Sequence, residues 1–232
     1  MGRKTYLLIG EGYTDIGASI DWETIGPNAT MSDLPDFDWS DDFHGGALRE
    51  ITLRCFEMRK IPRQAVEILA IPVSHIRKHG GGYPGKLKAS IVLAEERGLD
   101  GVIFVLDRDR EKNRLVELKA GREELKGTMP SAIGVCIETL EAWLLADHQS
   151  VADTLGIETK HVPAKPEGLA GEKGTASHPK DVLEHLIEIA PAGAKDVYNE
   201  LARVADLQTI AQKCPKGFGE FQAELDRLLF FD

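Results

Sequence analysis

Hydrophobic residues along the chain fall first into short, uninterrupted runs. Tyr6–Ile9 (YLLI) stops at Gly10, which predicts a buried strand followed by a turn. Ala65–Val73 (AVEILAIPV) is a second strand, with Pro72 marking its end because proline cannot donate to a ladder. Val102–Leu106 (VIFVL) is the clearest, five apolar and mostly β-branched or aromatic residues between Gly101 and a charged burst. Ile133–Ile137 (IGVCI) makes a fourth. Helical periodicity lies between them: Leu87, Ile91 and Ala94 share a face before Gly98, and residues 115–125 are charged and amphipathic. Short apolar strands alternating with helices predict an α/β core of about four mostly parallel strands, covered on both faces.

The fourth run leads into a helix expected from about Thr139 to Leu155, with Leu140, Trp143, Leu144, Val151 and Leu155 inward and Gly156 as its stop. Residues 157–179, rich in Lys, Gly, Pro and Thr, read as a long mobile loop. Beyond them, three stripes predict a helical cap over 180–232: Leu183, Leu186 and Ile187; Val197, Leu201 and Val204; Phe218, Phe221, Leu225 and Leu228. A separate unit of that size would be marginal alone, so the cap is expected to pack on the 1–156 core.

Composition narrows the class. The 232 residues hold 28 Lys or Arg against 38 Asp or Glu, a net charge of −10, which excludes a uniformly basic nucleic-acid binder. The imbalance is local: residues 11–50 carry ten acids and one base, whereas 73–88 carry Arg77, Lys78, Lys86 and Lys88 with no acid. A small basic patch beside an acidic pocket is compatible with that distribution, as are two solvated loops. No apolar stretch is long enough to span a membrane, and the N-terminal run, broken by Gly10 and Glu11, argues against a signal peptide. Cys55, Cys136 and Cys214 form no CxxC pair, which favours a reducing, cytoplasmic setting and speaks against structural zinc.

Ligands of open parallel sheets bind beyond the carboxyl ends of the strands. Glu11 and Asp15 (IGEGYTD) follow the first run, Asp107 and Asp109 (VLDRDR) the third, and Glu138 and Glu141 (IETLEAW) the fourth. Asp107 and Asp109 project to one side if the segment is extended. Glu138 and Glu141 are neighbours if they share a helix face. Six carboxylates at one edge would repel one another, and hard oxygen donors so grouped suit Mg²⁺, Mn²⁺ or Ca²⁺. Trp143 and the C-terminal phenylalanines read as core. Gly80–Gly82 lacks the strand–GxGxxG–helix context of a dinucleotide site. His44, His75, His79 and His178 read as surface or capping residues, His75 and His79 also as phosphate contacts. The acidic-aromatic segment 33–42 reads as an insertion.

The order of an apolar strand, EGxTD, a strand with DxD and a strand with a glutamate resembles the Toprim domain of topoisomerases, primases and OLD-family nucleases. IETLEAWLLAD followed by HPK looks most like the small stand-alone Toprim proteins related to the OLD-family nuclease domain, over about residues 4–150 and weakly the helical tail. That resemblance implies a Rossmann-like core and assigns metal binding to Glu11, Asp107 and Asp109, with Asp15 and Glu138 as further acids. It implies a downstream catalytic lysine, matched by Lys180, with Lys165 and Lys173 as alternatives. OLD nucleases carry an ABC-type ATPase; this sequence holds no GxxxxGK[ST], so the resemblance implies a separate ATPase subunit.

The expected activity is a nuclease using two Mg²⁺ or Mn²⁺ ions on phosphodiesters, of DNA ahead of RNA, as the effector of an anti-phage or DNA-processing system. Arg77, Lys78, Lys86 and Lys88 would then contact the nucleic-acid backbone. The competing readings are a non-cleaving Toprim module that holds metal or nucleotide and signals to a partner, and another phosphohydrolase on the same scaffold.

Overall fold

The computed structural model describes residues 2–12, 16–18, 44–76, 81–125, 127–191 and 196–230. All four apolar runs form strands: β1 (Lys4–Gly10), β2 (Val66–Pro72), β3 (Gly101–Asp107) and β4 (Ser131–Cys136). They make one parallel sheet in the order β2-β1-β3-β4, a Rossmann-like α/β core. Pro72 closes an edge strand, the position in a sheet where a residue without an N–H is tolerated. A two-residue antiparallel pair, Gly17–Ala18 with His44–Gly45, lies outside this sheet.

The strands read as continuous apolar runs because both faces are covered. On one face, Leu7, Ile9, Phe104 and Ile133 pack against Leu87 and Ile91 of α2 (Gly82–Glu96) and Leu118 of α3 (Arg114–Glu123). On the other, Tyr6, Leu8, Ile68, Ile103 and Ala132 share a core with α1 (Ala47–Met58) and the C-terminal helices. Helix α1 is not among the elements expected from the sequence, although Leu48, Ile51, Cys55 and Phe56 form a buried stripe at helical spacing. Phe56 stacks on Tyr6 with ring centroids 5.3 Å apart.

The helix expected over 139–155 is two helices, α4 (Glu141–Leu144) and α5 (His148–Leu155). Asp147 breaks it by capping α5: its carboxylate accepts from the Ser150 N–H and, at 2.6 Å, from the Ser150 hydroxyl. Gly156, left-handed at φ +66°, ends α5 as the sequence predicts. The stretch read as a loop carries two 3₁₀ turns, Thr159–His161 and Pro166–Gly168, with Val162 and Pro166 buried.

Four further helices follow: α6 (Pro179–Ile189), α7 (Val197–Val204), α8 (Leu207–Lys213) and α9 (Glu220–Leu229), with a π-turn at Pro215–Gly219 before the last. Trp143 is fully buried against Phe218 and Phe221, with centroids 5.1 and 5.5 Å away, so these aromatics are core as their spacing predicts. None of the described helices is long and apolar enough to cross a membrane.

Candidate active site

Parallel register brings the carboxyl ends of the strands together, Gly10 beside Pro72 and Asp107 beside Cys136. A cavity of about 660 Å³ opens at that edge. Glu11, Asp107, Asp109, Glu138 and Glu141 all line it, so five of the six candidate acids meet in one place. Asp15 lies outside the described residues. Lys180 and Lys173 line the same cavity and Lys165 does not.

Short bonds across the strand ends fix the acids. The Asp107 N–H donates to Glu11 Oε1 at 3.2 Å, and the Leu140 N–H donates to Asp107 Oδ1 at 2.9 Å. These two bonds tie the ends of β1, β3 and β4 through carboxylates rather than through sheet pairing. Arg108 donates to Glu138, whose side chain is nearly inaccessible. Tyr198, delivered by α7, donates its hydroxyl to Glu141 Oε1 at 3.2 Å.

Two local expectations are corrected. Asp109 does not continue the strand: β3 ends at Asp107, and Asp109 and Arg110 adopt left-handed backbone at φ +46° and +67°. Glu138 shares no helix face with Glu141, because it too is left-handed, at φ +61°, and α4 starts only at Glu141. Tight turns, not strand or helix periodicity, aim these side chains into the cavity. Each such residue costs about 1–3 kcal/mol, and strain of this kind gathers at functional sites. Three of the five described non-glycine residues with positive φ line this one cavity.

Sequence reasoning missed Arg114. Seven residues after Asp107, at the start of α3, its guanidinium lies 3.5 Å from Glu11 Oε1 and 3.2 Å from Asp109 Oδ2, and donates to the Asp107 carbonyl. It stacks over Tyr83 at 4.7 Å. Burial raises the Tyr83 phenol pKa, and the Glu11 carboxylate raises it further, so the field of the acid cluster reaches that ring. Arg114 thus holds positive charge among three acidic residues. Among the described residues, no three His, Cys, Asp or Glu side chains converge as a metal-binding group. The donor chemistry is nonetheless carboxylate throughout, the kind that hard divalent cations take, and the seat of Arg114 is one that accepts a cation.

Of the basic stretch, Lys86 and Lys88 are among the described residues, and both are engaged within the protein. Lys86 Nζ donates to the Val73 carbonyl at 2.5 Å and Lys88 Nζ pairs with Glu124 at 2.5 Å. Arg77, Lys78 and His79 lie outside the described residues, as does segment 33–42. His178, read as surface or capping, sits at the N-cap of α6 but is only 8% exposed and makes no side-chain cap. It lines the same cavity as Lys180. No protein-family model matches the chain, and neither the curated proteins nor the solved structures compared with it give a match.

Proposed function

We propose that the protein is a divalent-metal-dependent phosphodiesterase acting on nucleic acid, DNA ahead of RNA. The observation that carries this reading is the meeting of five carboxylates from three strand ends with Lys180 and Lys173 in one cavity. A phosphodiester needs that combination: acids to hold cations and cations to meet the phosphate. Glu11, Asp107 and Asp109 would hold Mg²⁺ or Mn²⁺, with Asp15, Glu138 and Glu141 around them. Bound there, two such ions would polarise the phosphoryl oxygens and lower the pKa of water. Lys180, at the second position of α6, would offset charge building on the phosphoryl oxygens, and Lys173 and Arg110 would hold the flanking phosphates. The Toprim and OLD resemblance of EGxTD, DxD and EAWLLAD supports this role, with a separate ATPase as partner in an anti-phage or DNA-processing system.

A second reading, a module that binds without cutting, is favoured by one observation. Arg114 already supplies a positive charge among Glu11, Asp107 and Asp109. Incubating purified protein with Mg²⁺ or Mn²⁺ and supercoiled, linear or single-stranded DNA, and then RNA, separates the two. Cleavage that EDTA stops and Glu11→Gln abolishes establishes the phosphodiesterase. Binding of the same nucleic acids without any product establishes the module.

A further inference from the structure

His178 is a buried histidine with one ring nitrogen against a carboxylate, and it is among the residues that line the acid-rich cavity. Its Nδ1 is inaccessible and 3.0 Å from Asp181 Oδ2, close but not aligned as a full hydrogen bond. Asp181 is itself held. It stands in the first turn of α6, where the helix dipole favours a negative charge, and its Oδ2 accepts the Gly174 N–H at 2.7 Å. With Nδ1 turned to Asp181, the edge of the ring left for the cavity is the one that carries Nε2. A carboxylate at Nδ1 fixes the tautomer in which that nitrogen is an unprotonated acceptor, and such contacts are often imperfectly aligned before substrate binds.

We propose that His178, oriented by Asp181, is the proton acceptor for the water that attacks the phosphodiester. This rests on the phosphodiesterase reading above. As the water oxygen bonds to phosphorus, its proton passes to His178 Nε2. The phosphorus–ester oxygen bond breaks with its electron pair on the departing oxygen, which takes a proton from solvent, and the imidazolium returns its proton to solvent. His178 is the catalytic residue of the pair and Asp181 the positioning residue.

A purely structural account is available and makes different predictions. The turn before α6 is fastened by Gly171 N–H to the Ser177 carbonyl at 2.8 Å and His178 N–H to the Thr175 carbonyl at 3.0 Å, both backbone bonds that survive substitution of the imidazole. A staple would therefore tolerate glutamine.

Two measurements decide the matter. Long-range ¹H–¹⁵N NMR on the intact protein should show His178 protonated at Nδ1 and bare at Nε2, with Asp181→Asn disturbing that preference. The opposite tautomer overturns the proposal whether or not the protein cuts DNA. In Mg²⁺-dependent DNA cleavage, His178→Gln and His178→Ala should each lower kcat by roughly 10²–10³, with unchanged melting temperature. Added imidazole should restore part of the rate to His178→Ala and none to Glu11→Gln. If the wild type cuts and His178→Gln cuts within threefold of it, the role of His178 falls alone. If the wild type cuts nothing, the phosphodiesterase reading falls and this role with it.

Discussion

At Arg114 one guanidinium meets Glu11, Asp109 and the Asp107 carbonyl and covers the Tyr83 ring while only 8% exposed. Its removal leaves the acids at the β1 and β3 ends facing one another without that charge. In EDTA, Arg114→Ala should lose about 2 kcal/mol, less than a fully buried broken pair because Asp109 is half exposed. A divalent cation then does more for the variant than for the wild type, since it replaces a missing charge as well as binding the folded state. The rise in melting temperature on adding Mg²⁺ should be larger in Arg114→Ala. Equal rises in both proteins would show that Arg114 and metal do not share a seat. The acids were legible in the sequence because the strand-end rule needs only the end of an apolar run, and Glu11, Asp107 and Glu138 each follow one. Arg114 was not, because its contact depends on the left-handed turn at Asp109 and Arg110, which reverses the chain toward the acids. His178 was hidden differently: nothing in HPK says that the ring is buried, and only the packing of α6 beside the cavity shows it.

Elements were more legible than their joints. Each strand run kept its place while its ends moved by one or two residues, the second shortening and the others lengthening, since a sheet buried on both faces imposes a continuous apolar signal. The α4–α5 break escaped because Leu140, Trp143, Leu144, Val151 and Leu155 keep near-helical spacing across it. Asp147 decides the break. Besides capping α5 it accepts the Asp206 N–H at 2.9 Å, joining the starts of α5 and α8. Burial alone would raise its pKa, but the Ser150 hydroxyl and the Asp206 and Ser150 N–H groups outweigh that and leave it below the ordinary 3.8. Asp147→Ala should cost about 1–2 kcal/mol at neutral pH. A carboxylate with a depressed folded pKa stabilises above its unfolded value, and that contribution is lost as pH falls through the folded value. The stability gap between wild type and Asp147→Ala should therefore be constant from pH 5 to 7 and narrow below about pH 4. Urea titrations across that range measure it, and a gap that widens toward acid contradicts the capping account.

For the molecule as a whole, the question is what joins the C-terminal helices to the sheet so that the cavity has walls from both. At the β4 edge, α9 comes close enough that a Cβ on Gly134 would lie 2.9 Å from Phe221 Cδ2 and 3.0 Å from Val105 Cγ2, so only glycine fits. Beside that contact Glu224 of α9 is 2% exposed. Its carboxylate accepts from Arg122 of α3 and from the Ile133 N–H of β4 at 3.4 Å, with Lys119 at 3.5 Å and Arg227 at 3.2 Å. One side chain therefore satisfies an edge-strand donor and neutralises cations from two helices, linking α9, α3 and β4. Removing one partner of such a pair leaves the other buried without compensation, which outweighs the net worth of the pair itself. Glu224→Ala should cost about 3 kcal/mol, because Arg122, Lys119 and the Ile133 N–H lose their shared acceptor at once, and Arg122→Ala less, because Glu224 keeps Lys119, Arg227 and the Ile133 N–H. The double variant should be less destabilised than the sum of the two, with a coupling of about 1–3 kcal/mol. If α9 is integral to one cooperative unit, every variant should unfold in a single transition with an unchanged denaturant slope. A separate early transition in Glu224→Ala, or single losses that simply add, would mean that the C-terminal helices fold as a unit of their own and that Glu224 is not what holds them to the sheet.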